Sequence, residues 1–92
     1  MGVSITPQYC SCKRLIGYII RGGPNHVSAI EYDPYIWSAM AFLREDDVLE
    51  IVAMSGVAEV RDIREGLRLL KSTGKKIKWE RRDDRYKLVE LD

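Results

Sequence analysis

The sequence has little of the material from which most metal and acid–base sites are built. It carries one histidine, His26, and two cysteines, Cys10 and Cys12, both near its start. Zinc takes about four ligands, so no metal site is expected. A disulfide-stapled secreted domain normally spreads about four or more cysteines along its length, so reduced thiols and a cytoplasmic location are expected instead. Long apolar runs are missing as well, and none approaches the roughly 20 residues that span a bilayer. No basic segment followed by an apolar stretch opens the chain, which argues against a cleaved secretory signal and, with the short runs, against a membrane partner. An excess of one charge is also absent: 15 Lys+Arg stand against 14 Asp+Glu, a net +1, so bulk charge does not make this a polyanion binder. Glutamine and asparagine occur once each, as Gln8 and Asn25. Few labile amides beside many charged residues is a thermophile-like bias. Neither a dinucleotide fingerprint, a phosphate-binding loop nor a nucleophile elbow occurs, so no cofactor and no catalytic residue is assigned.

What is present is a globular composition. The 92 residues are 46% hydrophobic and 32% charged, which suits one compact domain, 1–92, with a small core. Val3 to Tyr9, interrupted by Pro7, reads as an edge strand or arm. Residues 14–21 are rich in β-formers and are closed by the turn signal Gly22-Gly23-Pro24-Asn25. His26 to Tyr32 reads as a short strand in preference to a helical turn, and His26 as a surface or edge residue. Asp33 and Pro34 suit the N-cap and first position of a helix over 34–45, with Ile36, Ala39, Met40 and Leu43 on one face. In that helix Trp37 falls off the stripe, either half-buried against the N-terminal strands or anchoring a partner. Val48 to Met54 is too short and too β-branched for a helix and is expected as a central strand.

A second helix is predicted over 57–73, with Val60, Ile63, Leu67 and Leu70 on its apolar side and Gly74 ending it. A hairpin over 76–91 closes the chain. A two-residue turn at Asp83-Asp84 pairs Trp79 with Leu88, puts Glu80 opposite Lys87, and places Ile77, Trp79, Tyr86 and Leu88 on the buried face. It also sets Arg82 against Arg85, so a four-residue loop, 82–85, serves equally well. The expected order is β-α-β-α-β-β after an N-terminal β extension, 1–30. This is an α+β two-layer sandwich with both helices on one sheet face and the other face solvated or mated to a partner.

Over residues 31–91 the chain resembles the TusA/SirA sulfur-carrier family. The resemblance lies in Asp47-Val48-Leu49-Glu50-Ile51, in Val60-Arg61-Asp62-Ile63, in Gly74, and in Arg85-Tyr86-Lys87-Leu88. It implies the fold of the C-terminal domain of translation initiation factor 3. The family's reactive cysteine sits in C-P-x-P at a helix N-terminus, which lowers a thiol pKa. The matching stretch here is Glu31-Tyr32-Asp33-Pro34, where Pro34 keeps the second proline and Glu31 replaces the cysteine. The linker before Asp47 is shorter than the family's, and the segment from Asp62 to Gly74 is longer. The resemblance therefore implies a binding or regulatory module that works with a protein partner or by self-association. Sulfur transfer follows only if Cys10 or Cys12 has taken over as a relay, the other reading of those two being small buried hydrophobes.

Ile19-Ile20-Arg21-Gly22-Gly23-Pro24 and Gly56-Val57-Ala58 are also similar to turns of the Alba-type chromatin proteins, whose lysine pair is absent here. That resemblance implies nucleic-acid binding. Charge distribution gives it a surface: residues 1–60 hold four basic and seven acidic residues, a net −3, while residues 61–92 hold eleven and seven, a net +4. Lys75, Lys76, Lys78, Arg81, Arg82 and Arg85 are then either a solvated hairpin or a phosphate-facing arm. The acidic pairs Asp46-Asp47 and Asp83-Asp84 fall at element ends, where turns and caps favour aspartate.

Overall fold

Alternation of apolar and polar residues governs more of this chain than helical spacing does. The computed structural model describes residues 2–28, 34–82 and 86–91, with side chains placed as far as Trp79. Four strands come first: β1 (Gly2–Tyr9), β2 (Leu15–Gly23), β3 (Trp37–Arg44) and β4 (Val48–Gly56). A 3-10 turn at Glu45–Asp47 links β3 to β4, with Asp46 and Asp47 at φ 63° and 58°, a region aspartate tolerates in turns. One α-helix, α1 (Val60–Lys71), follows among the described residues, then β5 (Lys76–Arg82) and β6 (Tyr86–Leu91). The sheet has six strands in sequential order, with β1 and β6 at its edges. Every neighbouring pair is antiparallel except β4 and β5, which run parallel and are joined by α1. The fold is α+β.

The helix expected over 34–45 is a correction. Pro34 to Ile36 are irregular and the rest forms β3. Helical spacing, at Ile36, Ala39, Met40 and Leu43, and strand alternation are both written into this stretch, because Trp37, Ala39, Ala41 and Leu43 also recur at every second position. Pairing on both flanks decides between them: Ala39 and Ala41 are buried between β2 and β4, and small side chains pack there where a helix would leave two strands unpaired. The order β-α-β-α-β-β therefore gives way to four strands, a helix and two strands. Residues 26–28, expected to open a strand, are a loop. Asp33, its proposed N-cap, lies outside the described residues.

The second expected helix is present and slightly shorter than 57–73. Leu70 is fully buried and Leu67 packs on the core, while Val60, on the same stripe, is 65% exposed at the helix start. Gly74 takes φ 85° just past the helix end, the left-handed conformation that glycine adopts without penalty. The core lies between α1 and one sheet face and joins Ile20, Trp37, Leu49, Ile51, Leu70 and Ile77. Close approach of helix and sheet is allowed by Gly66, whose missing Cβ would stand 3.2 Å from Ile20 Cγ2. Likewise Gly22 faces Trp37 across β2 and β3, and a side chain there would enter the indole. The β1 strand carries Val3 and Ile5 onto this core and packs against α1. In the terminal hairpin the register pairs Trp79 with Val89, Glu80 with Leu88 and Arg82 with Tyr86, one residue away from the expected two-residue turn. That shift removes the unfavourable Arg82–Arg85 pairing; Asp83, Asp84 and Arg85 lie outside the described residues.

Candidate functional site

The parallel ladder between β4 and β5 is short. It runs from Val48↔Lys76 to Ile51↔Trp79 and stops there. On its other side β4 stays paired with β3 to its last residue, Gly56, opposite Trp37. The cause of the separation is local: Ala41 pairs with Ile51 and Met40 with Ala53, so Val52 is an extra, unopposed residue in β4. Such a bulge bends the strand and ends regular pairing. Beyond it, residues 52–56 present backbone N–H and C=O groups that no strand among the described residues takes up on the β5 side. Val52 and Met54 are 44% and 43% exposed, and Val57 is 81% exposed. Residues 51–58 carry no charge, whereas free strand edges are normally protected by lysine or other charged side chains.

Next to this bare edge a narrow cleft of about 20 Å³ opens between sheet and helix. Its walls are apolar, with Trp37, Ile51, Met54, Ile63, Leu67 and Trp79 among them. Burial of a ligand side chain against such walls stabilises by about 25 cal/mol per Å² of apolar surface. The indole of Trp37 is fixed rather than free, because its Nε1 donates to Asp62 Oδ2 across 3.4 Å, both residues being buried. Asp62 sits in the first helical turn, where the helix dipole favours a carboxylate. The arrangement can hold an extended amide chain along β4, with an apolar group of that chain against the mouth of the cleft.

His26 is not a surface residue. It is fully buried, and its Nε2 lies 2.6 Å from Ser4 Oγ on β1. Its Nδ1 has no partner among the described residues, and Tyr35 stands edge-on to its ring with centroids 6.3 Å apart. The pair fastens the segment after β2 onto the first strand, which also explains why Gly2, under the His26 carbonyl, has no room for a side chain.

Cys10 and Cys12 are not buried hydrophobes. Cys10 is half-buried, Cys12 is exposed, and the two are joined as a disulfide at the tip of the β1–β2 hairpin. They lie away from Pro34, which precedes a strand and not a helix; Glu31 lies outside the described residues. The basic residues are only partly gathered. Lys76 and Lys78 share the sheet face opposite the core, Lys78 is level with Glu50, and Lys75 Nζ is 3.6 Å from Asp47 Oδ1. Glu50 also holds Arg44, at 2.8 Å. Arg81 and Arg82 belong to the backbone of β5, and their side chains, like Arg85 as a whole, lie outside what is described. Among the described residues no cluster of His, Cys, Asp and Glu could hold a metal ion, and no helix is long and apolar enough to cross a membrane.

Sequence reading did not reveal the strand gap or the Ser4–His26 and Trp37–Asp62 pairs, since each joins residues distant in the chain. The only local signal was the uncharged run 51–58. No family model, no curated protein and no solved structure matches this chain.

Proposed function

We propose that this chain is a binding module that takes an extended segment of a partner protein into the gap where β4 leaves β5. The observation that carries the reading is the uncharged half of β4, residues 52–56, which has no strand partner on its β5 side among the described residues and lies beside an apolar cleft. A peptide strand satisfies the free amides by main-chain hydrogen bonds, and an apolar side chain of that strand packs over the mouth of the cleft. The sulfur-carrier resemblance supports a binding role as well, because Glu31 stands where that family has its cysteine. The test is a titration of the labelled chain with short, extended apolar peptides, followed by amide NMR. Shifts confined to residues 51–58 and Trp79 are expected, and Val52→Lys with Met54→Lys weakens binding at least about tenfold while the fold is kept. Peptides that shift none of these amides refute the reading. A concentration-dependent dimer with the same shifts replaces the partner by a second copy of the chain.

A second reading, nucleic acid along β5, is supported by Lys76 and Lys78 on one sheet face. Asp47 on Lys75 and Glu50 beside Lys78 reduce the charge free to meet phosphates. With about two such contacts, log K falls against log salt with a slope near −2. Titration of duplex and single-stranded DNA and RNA at two salt concentrations tests it.

A further inference from the structure

We infer that the β1–β2 hairpin tip is a thiol–disulfide exchange site, with Cys10 and Cys12 as its redox pair and a protein or small-molecule dithiol as its reductant. Three observations point there. The bond spans a single intervening residue, Ser11, so it closes a minimal loop and constrains the unfolded chain very little. The turn does not depend on it: Cys10 N–H donates to the Arg14 carbonyl and Lys13 N–H to the Cys10 carbonyl, both at 2.9 Å, and the ladder resumes at Tyr9↔Leu15. The tip is also open. Ser11, Cys12, Lys13 and Arg14 are all exposed, and the two cations follow Cys12 directly, an electropositive setting that favours thiolate. A disulfide that stabilises little, sits in solvent and is flanked by cations has the features of an exchangeable bond rather than a structural one.

One thiolate of the dithiol attacks the exposed Cys12 Sγ; the Cys10–Cys12 bond breaks and Cys10 leaves as thiolate. The second thiolate of the reductant then attacks its own sulfur in the mixed disulfide, and Cys12 leaves. Two electrons pass from the dithiol, which becomes a disulfide, to the cysteine pair. The two protons lost by the dithiol end on Cys10 and Cys12 or in solvent, according to how far those thiols are protonated.

The experiment uses the full chain, equilibrated without denaturant in glutathione buffers of varied ratio, then alkylated and weighed intact. Both thiols are expected to change together between unlabelled and doubly labelled chain, with the circular dichroism unchanged. Under glutathione disulfide, Cys10→Ser is expected to gain a glutathione adduct on Cys12 at least about tenfold faster than Cys12→Ser gains one on Cys10. A bond that dithiothreitol opens only after unfolding overturns the inference, as do two thiols that stay free in glutathione disulfide. Equal adduct rates in the two variants overturn the assignment of Cys12 as the attacked sulfur.

Discussion

Trp37 and Asp62, one at the start of β3 and the other in the first turn of α1, are joined by an indole N–H···carboxylate hydrogen bond of 3.4 Å inside the core. A buried donor whose acceptor is removed keeps its full desolvation cost. Asp62→Ala should therefore lower stability by about 1–3 kcal/mol, and Asp62→Asn, which retains an acceptor oxygen, by clearly less. Urea unfolding followed by tryptophan fluorescence measures both. Equal losses in the two variants would show that the charge, and not the hydrogen bond, is what matters at this position.

Gly56 and Gly74 separate steric clash from backbone strain. Both take positive φ, 87° and 85°, but a Cβ at Gly56 would stand 2.1 Å from the Ile36 carbonyl oxygen while one at Gly74 meets nothing within 4 Å. Gly74→Ala should cost only the left-handed penalty, about 1–2 kcal/mol. Gly56→Ala should cost more than that, with disturbance of the β3–β4 pairing visible by amide exchange. A smaller loss at Gly56 than at Gly74 would contradict the geometry.

At Gly66 two effects oppose. Alanine in a helix interior gains about 1 kcal/mol over glycine, but its Cβ would press on Ile20, which is buried and has little room to yield. Gly66→Ala is expected to be near neutral. Gly66→Leu overfills the helix–sheet contact and should lose about 2 kcal/mol or more, read from the denaturation midpoint.

Removing the hydroxyl of Ser4 leaves His26 Nε2 without its 2.6 Å partner in a fully buried ring. Ser4→Ala should destabilise by about 1–3 kcal/mol and raise proteolysis after residue 23, where the chain leaves β2. Unchanged cleavage kinetics would mean that this pair does not fasten the segment.

On the exposed face of α1, the Arg68 guanidinium hydrogen-bonds Glu65 and holds its carboxyl below the usual carboxylate range. A folded-state pKa below the unfolded one contributes stability above the unfolded value, and that contribution is lost as pH falls through the folded one. Glu65→Gln should thus alter stability at neutral pH and converge with the parent in acid. Because the pair is in solvent, added salt should erase the difference, which thermal melts at two ionic strengths will show.

How much of this was legible in the sequence depends on the range of the interactions. The α1 stripe of Ile63, Leu67 and Leu70, its end at Gly74, and the span of β4 were all readable, because local spacing and a local turn residue dictate them. The stretch 37–44 was not, since alternation and helical spacing coexist in it and the neighbours β2 and β4 make the choice. The burial of His26 was hidden for the same reason: its partner Ser4 is 22 residues away. The gap between β4 and β5 depends on one extra residue at Val52, which no composition rule marks.

The sequential strand order has a kinetic consequence. Each antiparallel neighbour pair can form from adjoining segments, so most of the sheet can zip together with little loop-closure entropy lost at each step. The exception is β4 with β5, whose pairing must wait until α1 has bridged them. Closing that crossover is expected to limit the folding rate, and substitutions at Leu49 or Ile77, which pair only when it closes, should slow folding more than those in the β1–β2 hairpin.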